Sequence, residues 1–355
     1  MSLNQANNKT LLPGQEYPEK NEDIIAAKII KLLEDQMVRI YGNNKQLRQI
    51  HPKMNGFVKA KFIIENNLPE DLAVGIFKET RSYPAWIRFS NGDTNPLPDW
   101  KKDIRGFGIK IMDVAGDKIV QSKKDGGNND FICMNTKNFV SRDVNHFYNI
   151  LKVVTTQLTF LNFFPKLFTL VSCLPILIRA ARAKIKCDHP FEVSYFSTVP
   201  YRFGDETRAV KYAVMPSGKN KLEFTDKKNE NFLRANMAAT LLKHEIVYNF
   251  FVQFQTDSLK MPIEDPTVVW DSPLIKLATI RIPTQVFDTP ERNELGESFS
   301  FNSWHCLPQH WPLGNFNRVR RTIYDALYNF RHKHNRIKDK VPHAGPDFFN
   351  DTNMG

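Results

Sequence analysis

The residues with the clearest chemical meaning are a tyrosine and two arginines near the end of the chain, in Arg320-x-x-x-Tyr324 and the later Arg331. On a helix, Arg320 and Tyr324 lie four residues apart and share a face. Arg331 lies about 10 Å further along the axis and within about 20° of the same stripe. A guanidinium beside a phenol favours the phenolate, and phenolate oxygen is a ligand for ferric iron. The spacing is compatible with an iron-binding tyrosine, but taken alone it favours a surface arginine over a half-buried tyrosine.

A second group of candidate residues lies far upstream. Arg88 and Ser90 are two residues apart on an apparent strand, so their side chains point to the same face. The motifs follow one another as Arg48-x-x-His51, Arg88-Phe89-Ser90, Asp103-x-Arg105-Gly106-Phe107, Asn135-Thr136-x-x-Phe139 and Arg320-x-x-x-Tyr324. In this order they resemble the catalase superfamily, and more closely its small catalase-related heme proteins. That group includes catalase-like peroxidases and catalase-related allene oxide synthases, and the resemblance runs from Gln46 to Asn335.

The resemblance implies that the chain binds heme b and assigns roles around it. Tyr324 would bind the iron, and Arg320 would keep the phenol ionised. His51 would move protons during cleavage of a peroxide O–O bond, Ser90 would orient its ring, and Asn135 would hold the far oxygen. The other implied contacts are three arginines on the heme propionates and a phenylalanine on the distal face: Arg48, Arg88, Arg331 and Phe139.

The implied function is a heme-dependent enzyme that processes hydrogen peroxide or organic hydroperoxides and takes electrons from an organic donor. Two alternatives stay open, a fatty-acid hydroperoxide isomerase and a non-enzymatic heme- or lipid-binding protein. Coral-type allene oxide synthases carry threonine directly before the distal histidine, whereas this chain has Ile50 before His51. That residue favours heterolysis of peroxide over isomerisation. Lys137 departs from the proline that catalases usually carry after Asn-Thr.

Composition agrees with a large folded domain. Of 355 residues, 41% are hydrophobic and 12% aromatic, which excludes a disordered chain. The net charge of +11 is accompanied by no nucleic-acid-binding motif, so we expect no nucleic acid partner. The polar N-terminus lacks the apolar core of a signal peptide, and the four cysteines lack paired spacing. A cytoplasmic protein is expected, with a homo-oligomer left open.

Patterning along the chain predicts an α+β fold, a closed antiparallel β-barrel of the catalase type with surrounding helices and a reduced C-terminal helical region. Asn21 and Gly42 are expected to cap a helix over Glu22–Tyr41. The predicted strands are Phe57–Ile64, Ala85–Ser90, Gly106–Val114, Asp130–Asn135, Arg208–Met215, Val247–Gln255 and Lys276–Pro283. The expected organisation is a flexible tail over 1–20, one heme-binding domain over 21–340 and a second tail over 341–355.

The most apolar stretch is Leu158–Ile178, and basic residues follow it up to Lys186. Pro165 and Pro175 interrupt the stretch, which argues against a membrane-spanning helix. We favour a helical pair packed on the barrel, with peripheral membrane contact through 158–186 as the alternative.

Overall fold

The computed structural model describes residues 11–120, 127–155, 171–337, 344, 345, 348 and 349. Its helices are α1 (Glu22–Tyr41), α2 (Val144–Thr155), α3 (Leu174–Ala183), α4 (Phe232–Leu241), α5 (Pro290–Ser298) and α6 (Asn315–Asn335). Its strands are β1 (Lys53–Ile64), β2 (Ser82–Asn91), β3 (Arg105–Ile111), β4 (Asn129–Met134), β5 (Tyr195–Phe196), β6 (Tyr201–Phe203), β7 (Asp205–Pro216), β8 (Ile246–Phe254) and β9 (Leu274–Ile282). Single 3-10 turns lie at Gly75–Phe77, Pro190–Glu192 and Pro308–His310.

Eight antiparallel strands form a closed barrel in the order β5-β4-β3-β2-β1-β9-β8-β7. The two-residue strand β5 closes it, because Phe196 pairs with Met134 of β4 while Tyr195 pairs with Val214 of β7. Strand β6 continues along the same edge of β7. The predicted α+β fold with a closed antiparallel barrel is confirmed, and β5 and β6 are the strands that the pattern did not predict.

The barrel interior is filled by alternate residues of its strands. On β8, Ile246, Tyr248, Phe250 and Val252 are fully buried, and the residues between them are partly exposed. This two-residue period places one face of the strand in the core. The Phe250 ring lies 5.0 Å from that of Phe131, so side chains from opposite parts of the barrel meet at its centre.

Strand β2 differs, because both of its faces are buried. Ala85, Ile87 and Phe89 belong to the barrel core, whereas Arg88 and Ser90 point to the other face. The outer face is buried because helices and loops cover the barrel here. The predicted common orientation of Arg88 and Ser90 therefore holds, and it places them in a layer between the barrel and its covering helices.

Helices α1 and α6 pack on each other, and α1 also packs on α2. The bounds of α1 are those predicted, and Gly42 ends it with a φ of 55°. Asn21 makes no side-chain capping bond, so the predicted cap does not form. The end of α6 is bonded to the segment after α1, since Asn335 accepts from Gln46 N at 2.7 Å and donates to Gln46 O at 2.8 Å.

Two predicted segments are described in part. Residues 158–170 of the apolar stretch lie outside the described residues, and the remainder forms α3, on which Leu174 and Ile178 are exposed. None of the helices in the described ranges is long and apolar enough to span a membrane. In the expected tail, residues 1–10 are not described, but Gly14 N donates to Gln255 and Tyr17 N donates to Glu264. The tail is therefore bound to the domain over its second half.

Candidate active site

A cavity lies between the outer face of β2–β3 and helix α6, with an empty volume of about 910 Å³ including its mouth. The upstream and downstream groups of predicted residues meet in it. The predicted residues that line it are Arg48, His51, Arg88, Ser90, Tyr324 and Arg331.

His51 is held in the cavity wall by its ring and by its backbone. Ser90 Oγ lies 3.1 Å from His51 Nδ1, and Arg88 donates to His51 O at 3.0 Å. The φ of His51 is 61°, a left-handed conformation that persists only where surrounding contacts hold it. Because Nδ1 is engaged by Ser90, Nε2 is the ring nitrogen that can serve a ligand.

The charge state of His51 follows from its surroundings. Burial, followed by the positive charges of Arg88 and Arg320, lowers the pKa of His51 to about 3. Its imidazole is therefore neutral at physiological pH. A neutral ring can accept a proton on one nitrogen, as general base chemistry requires.

Two glycines of β3 allow the cavity wall to close up around these groups. Gly106 pairs with Ser90 and Gly108 pairs with Arg88 across the β2–β3 ladder. A Cβ on Gly106 would lie 2.5 Å from His51 Nδ1 and 2.7 Å from Ser90 Oγ. A Cβ on Gly108 would meet the Phe301 ring at 3.1 Å. Their two-residue spacing puts both glycines on one face of β3. That this face adjoins Arg88 and Ser90 follows from the β2–β3 register, and neither glycine was predicted as a site residue.

Helix α6 forms the opposite wall. Tyr324 and Arg331 line the cavity together with Ile323, Leu327 and Tyr328, a stripe with three- and four-residue spacing. Arg320 has other contacts. It donates to Asn317 Oδ1 at 3.4 Å and lies over the Phe139 ring at 5.6 Å. The predicted effect of Arg320 on the Tyr324 phenol stays a prediction.

One end of the cavity holds three arginines around Glu297 of α5. Arg88 donates to Glu297 Oε1 at 3.1 Å, and Arg331 donates to the backbone oxygen of Glu297. Arg48 donates to Gly296 O at 3.0 Å, and its Nε lies 4.0 Å from Glu297 Oε2. Burial opposes ionisation of Glu297, but Arg88, Arg48 and Arg331 together hold its pKa below the usual range. Glu297 is therefore a carboxylate.

Comparison with known proteins identifies the fold and the relatives. No family model matches the sequence. The chain is 27% identical over 262 residues to a catalase-related peroxidase of Mycolicibacterium paratuberculosis, covering 70% of this chain and 78% of the relative. A fungal catalase structure superposes with a TM-score of 0.61 at 15% identity, covering 87% of this chain and 67% of that one. The structure of catalase A from Saccharomyces cerevisiae superposes with a TM-score of 0.60 at 16% identity, covering 96% of this chain and 74% of that one.

The chain is similar in sequence to a catalase-related peroxidase and shares the fold of catalases. The predicted oxidoreductase enzyme class is supported by this relative. The two catalase structures show the shared fold, and this chain spans two thirds to three quarters of their length.

Asn135, predicted to hold the far oxygen of the peroxide, is not among the residues that line this cavity. Its Oδ1 accepts from Arg105 N at 2.7 Å and its Nδ2 donates to Ala183 O at 2.8 Å. It caps the end of β4 and borders a separate cleft with Cys187 and Phe196. The assignment is corrected, because an asparagine just beyond a strand satisfies backbone groups there. From β4, Ile132 and Cys133 line the cavity.

Phe139 is also placed elsewhere. Its ring packs on Phe316 at 4.3 Å and on Phe147 at 5.7 Å, near the start of α6. It is absent from the residues that line the described cavity. Phe301 is a further cavity residue that was not predicted from the sequence; its ring lies against Gly108.

The loop that carries Phe301 is fixed by a buried ion pair. Lys110 donates to both Asp130 oxygens at 2.8 Å, and Asp130 accepts from Asn302 N at 3.0 Å. His305 Nδ1 lies 3.2 Å from the same carboxylate. His305 is therefore structural, and its role is to hold the loop behind the cavity.

Proposed function

We propose that this chain is a heme-dependent hydroperoxide-processing enzyme, a peroxidase of the catalase-related kind. The observation that carries the proposal is one cavity with a neutral histidine on the barrel side and a tyrosine on the helix side. Support comes from the relative described as a catalase-related peroxidase. The substrate class is hydrogen peroxide or an organic hydroperoxide, and an organic donor supplies the electrons.

The residues present fit heme b. Among the residues that the structure describes, the buried Nε atoms of Arg48 and Arg88 find no hydrogen-bond acceptor, as expected of guanidiniums that serve an anionic group. Arg48, Arg88 and Arg331 would hold the propionates, since guanidiniums pair well with carboxylates in buried sites. Tyr324 would bind the iron. Gly106 leaves room for the ring of His51 in the cavity wall, and Gly108 leaves room for the ring of Phe301.

The chemistry of the chain's own residues then centres on His51. Bound heme would supply an iron that binds peroxide and takes up its oxidising equivalents. His51 Nε2 would accept the proton of one peroxide oxygen and return it to the other, which leaves as water or an alcohol. This transfer requires a neutral imidazole, which the low pKa of His51 provides. Ser90 fixes the plane of the ring, and a positioned base of this kind contributes about 10²–10⁴-fold to the rate.

Replacement of His51 tests the proposal. His51→Ala should retain heme and lower the rate of peroxide reaction per bound heme by about 100-fold or more. His146→Ala is the control, because His146 is exposed and paired with Asp143 on the surface. Stopped-flow mixing of reconstituted protein with peroxide measures both. A His51→Ala protein with an unchanged rate per bound heme would contradict the proposed role.

We also infer that a peroxidase outcome is favoured over a catalase outcome, because the cavity is large and apolar residues such as Phe301 and Ile323 line it. Oxygen release from hydrogen peroxide should be slow beside the oxidation of an organic donor at matched heme concentration. Fast oxygen release would indicate a catalase. Formation of an allene oxide from a fatty-acid hydroperoxide would instead support the isomerase. Ile50, which lines the cavity, argues against that alternative.

A further inference from the structure

The arginine cluster at the end of the cavity contains an acidic residue of the protein itself. Glu297 lies near the C-terminal end of α5 and its side chain is 12% exposed. Arg88, whose side chain is 6% exposed, bonds to its Oε1 at 3.1 Å. Arg331 bonds to its backbone oxygen. Glu297 thus binds Arg88 of β2 through its side-chain carboxylate and Arg331 of α6 through its backbone oxygen.

Arg48 is held by the same part of α5. Its guanidinium donates to Gly296 O at 3.0 Å and to Phe299 O at 2.5 Å. The last carbonyls of a helix carry partial negative charge and attract cations. The three arginines are therefore gathered by the end of one helix and the carboxylate on it. Crowding of the cations is evident, because burial and then the charges of Arg331 and Arg88 lower the pKa of Arg48 well below its usual range.

The cluster is only partly neutralised. Three guanidiniums and one carboxylate leave a formal surplus of two positive charges in a buried place. Among the described residues, Glu297 Oε2 has no hydrogen-bond donor, and the Nε atoms of Arg48 and Arg88 have no acceptor. A buried charge without a partner is unfavourable, so the surplus favours a ligand that brings negative charge.

We propose that Glu297 is a built-in counter-ion: it positions Arg48, Arg88 and Arg331 in the ligand-free protein and leaves a surplus of two positive charges, matched to a ligand edge with two carboxylates. The inference rests on the proposed function, since the two propionates of heme form such an edge. Glu297 touches neither the reacting atoms nor the iron, and acts through the arginines.

Metal-free porphyrins test the acidic edge without any contribution from iron and Tyr324. The probes are protoporphyrin IX and its dimethyl ester, and the affinity ratio of diacid to diester is measured by fluorescence. In Glu297→Gln, the surplus of positive charge in the arginine cluster rises from two to three. The repulsion between the Glu297 carboxylate and the propionates is also lost. The ratio should rise by about tenfold or more, because like charges brought together at a buried contact oppose binding strongly. A ratio within twofold of the wild-type value would overturn the proposal.

Stability of the ligand-free protein provides a second, independent measurement. Glu297→Gln should lower the urea midpoint by about 1 M or more, because three buried guanidiniums lose their anion. Glu294→Gln is the matched control, since Glu294 lies on the same helix and is exposed. Equal midpoints for the two variants would overturn the counter-ion role. If the wild-type protein bound neither porphyrin, the proposed heme function would be wrong, and so would the match to a ligand with two carboxylates. The urea midpoints would still decide whether Glu297 acts as a counter-ion.

A charge-restoring double variant keeps the test decisive if Glu297→Gln folds poorly. Arg88→Gln combined with Glu297→Gln returns the surplus to two and removes the ion pair as a unit. The double variant should recover the urea midpoint lost in the single variant, and its diacid to diester ratio should return to within twofold of wild type. A double variant that recovers neither the urea midpoint nor the diacid to diester ratio would overturn the proposal.

Discussion

At the residue scale, the position of the His51 ring depends on the lack of a side chain at Gly106. Its ring lies against the backbone of Gly106, with Ser90 on one nitrogen and Arg88 on its carbonyl oxygen. The left-handed backbone of His51 and the residue after it, Pro52, leave little freedom to move the ring elsewhere. Loss of space at Gly106 must therefore displace the imidazole.

Gly106→Ala tests this dependence. The added methyl group would lie 2.5 Å from His51 Nδ1, so the ring must move away from Ser90. We expect the rate of peroxide reaction per bound heme to fall by about 100-fold, the usual effect of misplacing a catalytic group by about 1 Å. Gly345→Ala is the control, because a Cβ there meets nothing within 4 Å. Equal rates for the two variants would show that His51 is not held in this way.

The residues of the site differ in how far the sequence predicts them. The pair Arg88 and Ser90 follows from strand alternation, and Tyr324 with Arg331 follows from helical spacing, because both are local periodicities. The sequence places Asn135 at the end of β4, but it does not show that the side chain bonds to the backbone of Arg105 and Ala183 and not to a ligand. Glu297 could not be found at all, since it meets Arg88 across 209 residues of sequence.

At the element scale, helix α6 must be fixed against the barrel for Tyr324 to face His51. Its first turn is anchored by Arg318, which bonds to Glu22 of α1 at 2.6 Å and to Glu264 at 2.8 Å. Glu16 accepts from the same guanidinium and from Gly314 N. One cation thus joins the N-terminal segment, α1 and α6.

Arg318→Met should destabilise the protein by about 3 kcal/mol, because it leaves partly buried carboxylates without their shared cation. The measurement is the free energy of unfolding in urea, with heme retention followed in parallel. Lys31→Met provides the comparison. The Lys31–Asp35 pair is 3.3 Å long with side chains 79% and 65% exposed, so its loss should cost less than about 1 kcal/mol. Similar losses for both variants would contradict the anchoring role.

Closure of the barrel shows what element prediction leaves out. The strands of six or more residues, from β4 with six to β1 with twelve, were all predicted from the sequence. The closing strand β5 has two residues and no detectable period. Barrel closure was inferred from the number of strands and from the family resemblance, and no feature of the β5 sequence indicates it.

At the scale of the whole molecule, the interior contains histidines that must stay neutral. His310 Nε2 accepts from Ile76 N at 3.1 Å, and His189 Nδ1 accepts from Phe191 N at 3.1 Å. A ring nitrogen that accepts a backbone hydrogen bond cannot also carry a proton. Burial lowers the pKa of His310 to about 3 and that of His189 to about 4.

Stability should therefore fall as the pH is lowered below about 6.5, the pKa of histidine in an unfolded chain. Between that value and the lower folded pKa values, the unfolded state binds more protons, so acid favours unfolding. At pH 5 each of His189 and His310 should account for about 2 kcal/mol of lost stability. Urea midpoints at pH 7.5 and pH 5 measure the loss, and His146→Gln should leave it unchanged. A midpoint that does not fall would mean that these rings are protonated in the native protein.

The central claim is that Tyr324 binds the iron of a heme held in this cavity, and the ferric absorption spectrum of Tyr324→Phe tests it most directly. Tyr328→Phe is the matched control, because Tyr328 lines the same cavity one turn later on α6. We expect wild type and Tyr328→Phe to show the same phenolate-ligated ferric spectrum, whereas Tyr324→Phe loses heme or shifts to a spectrum without phenolate. Full heme occupancy with an unchanged spectrum in Tyr324→Phe would contradict the claim.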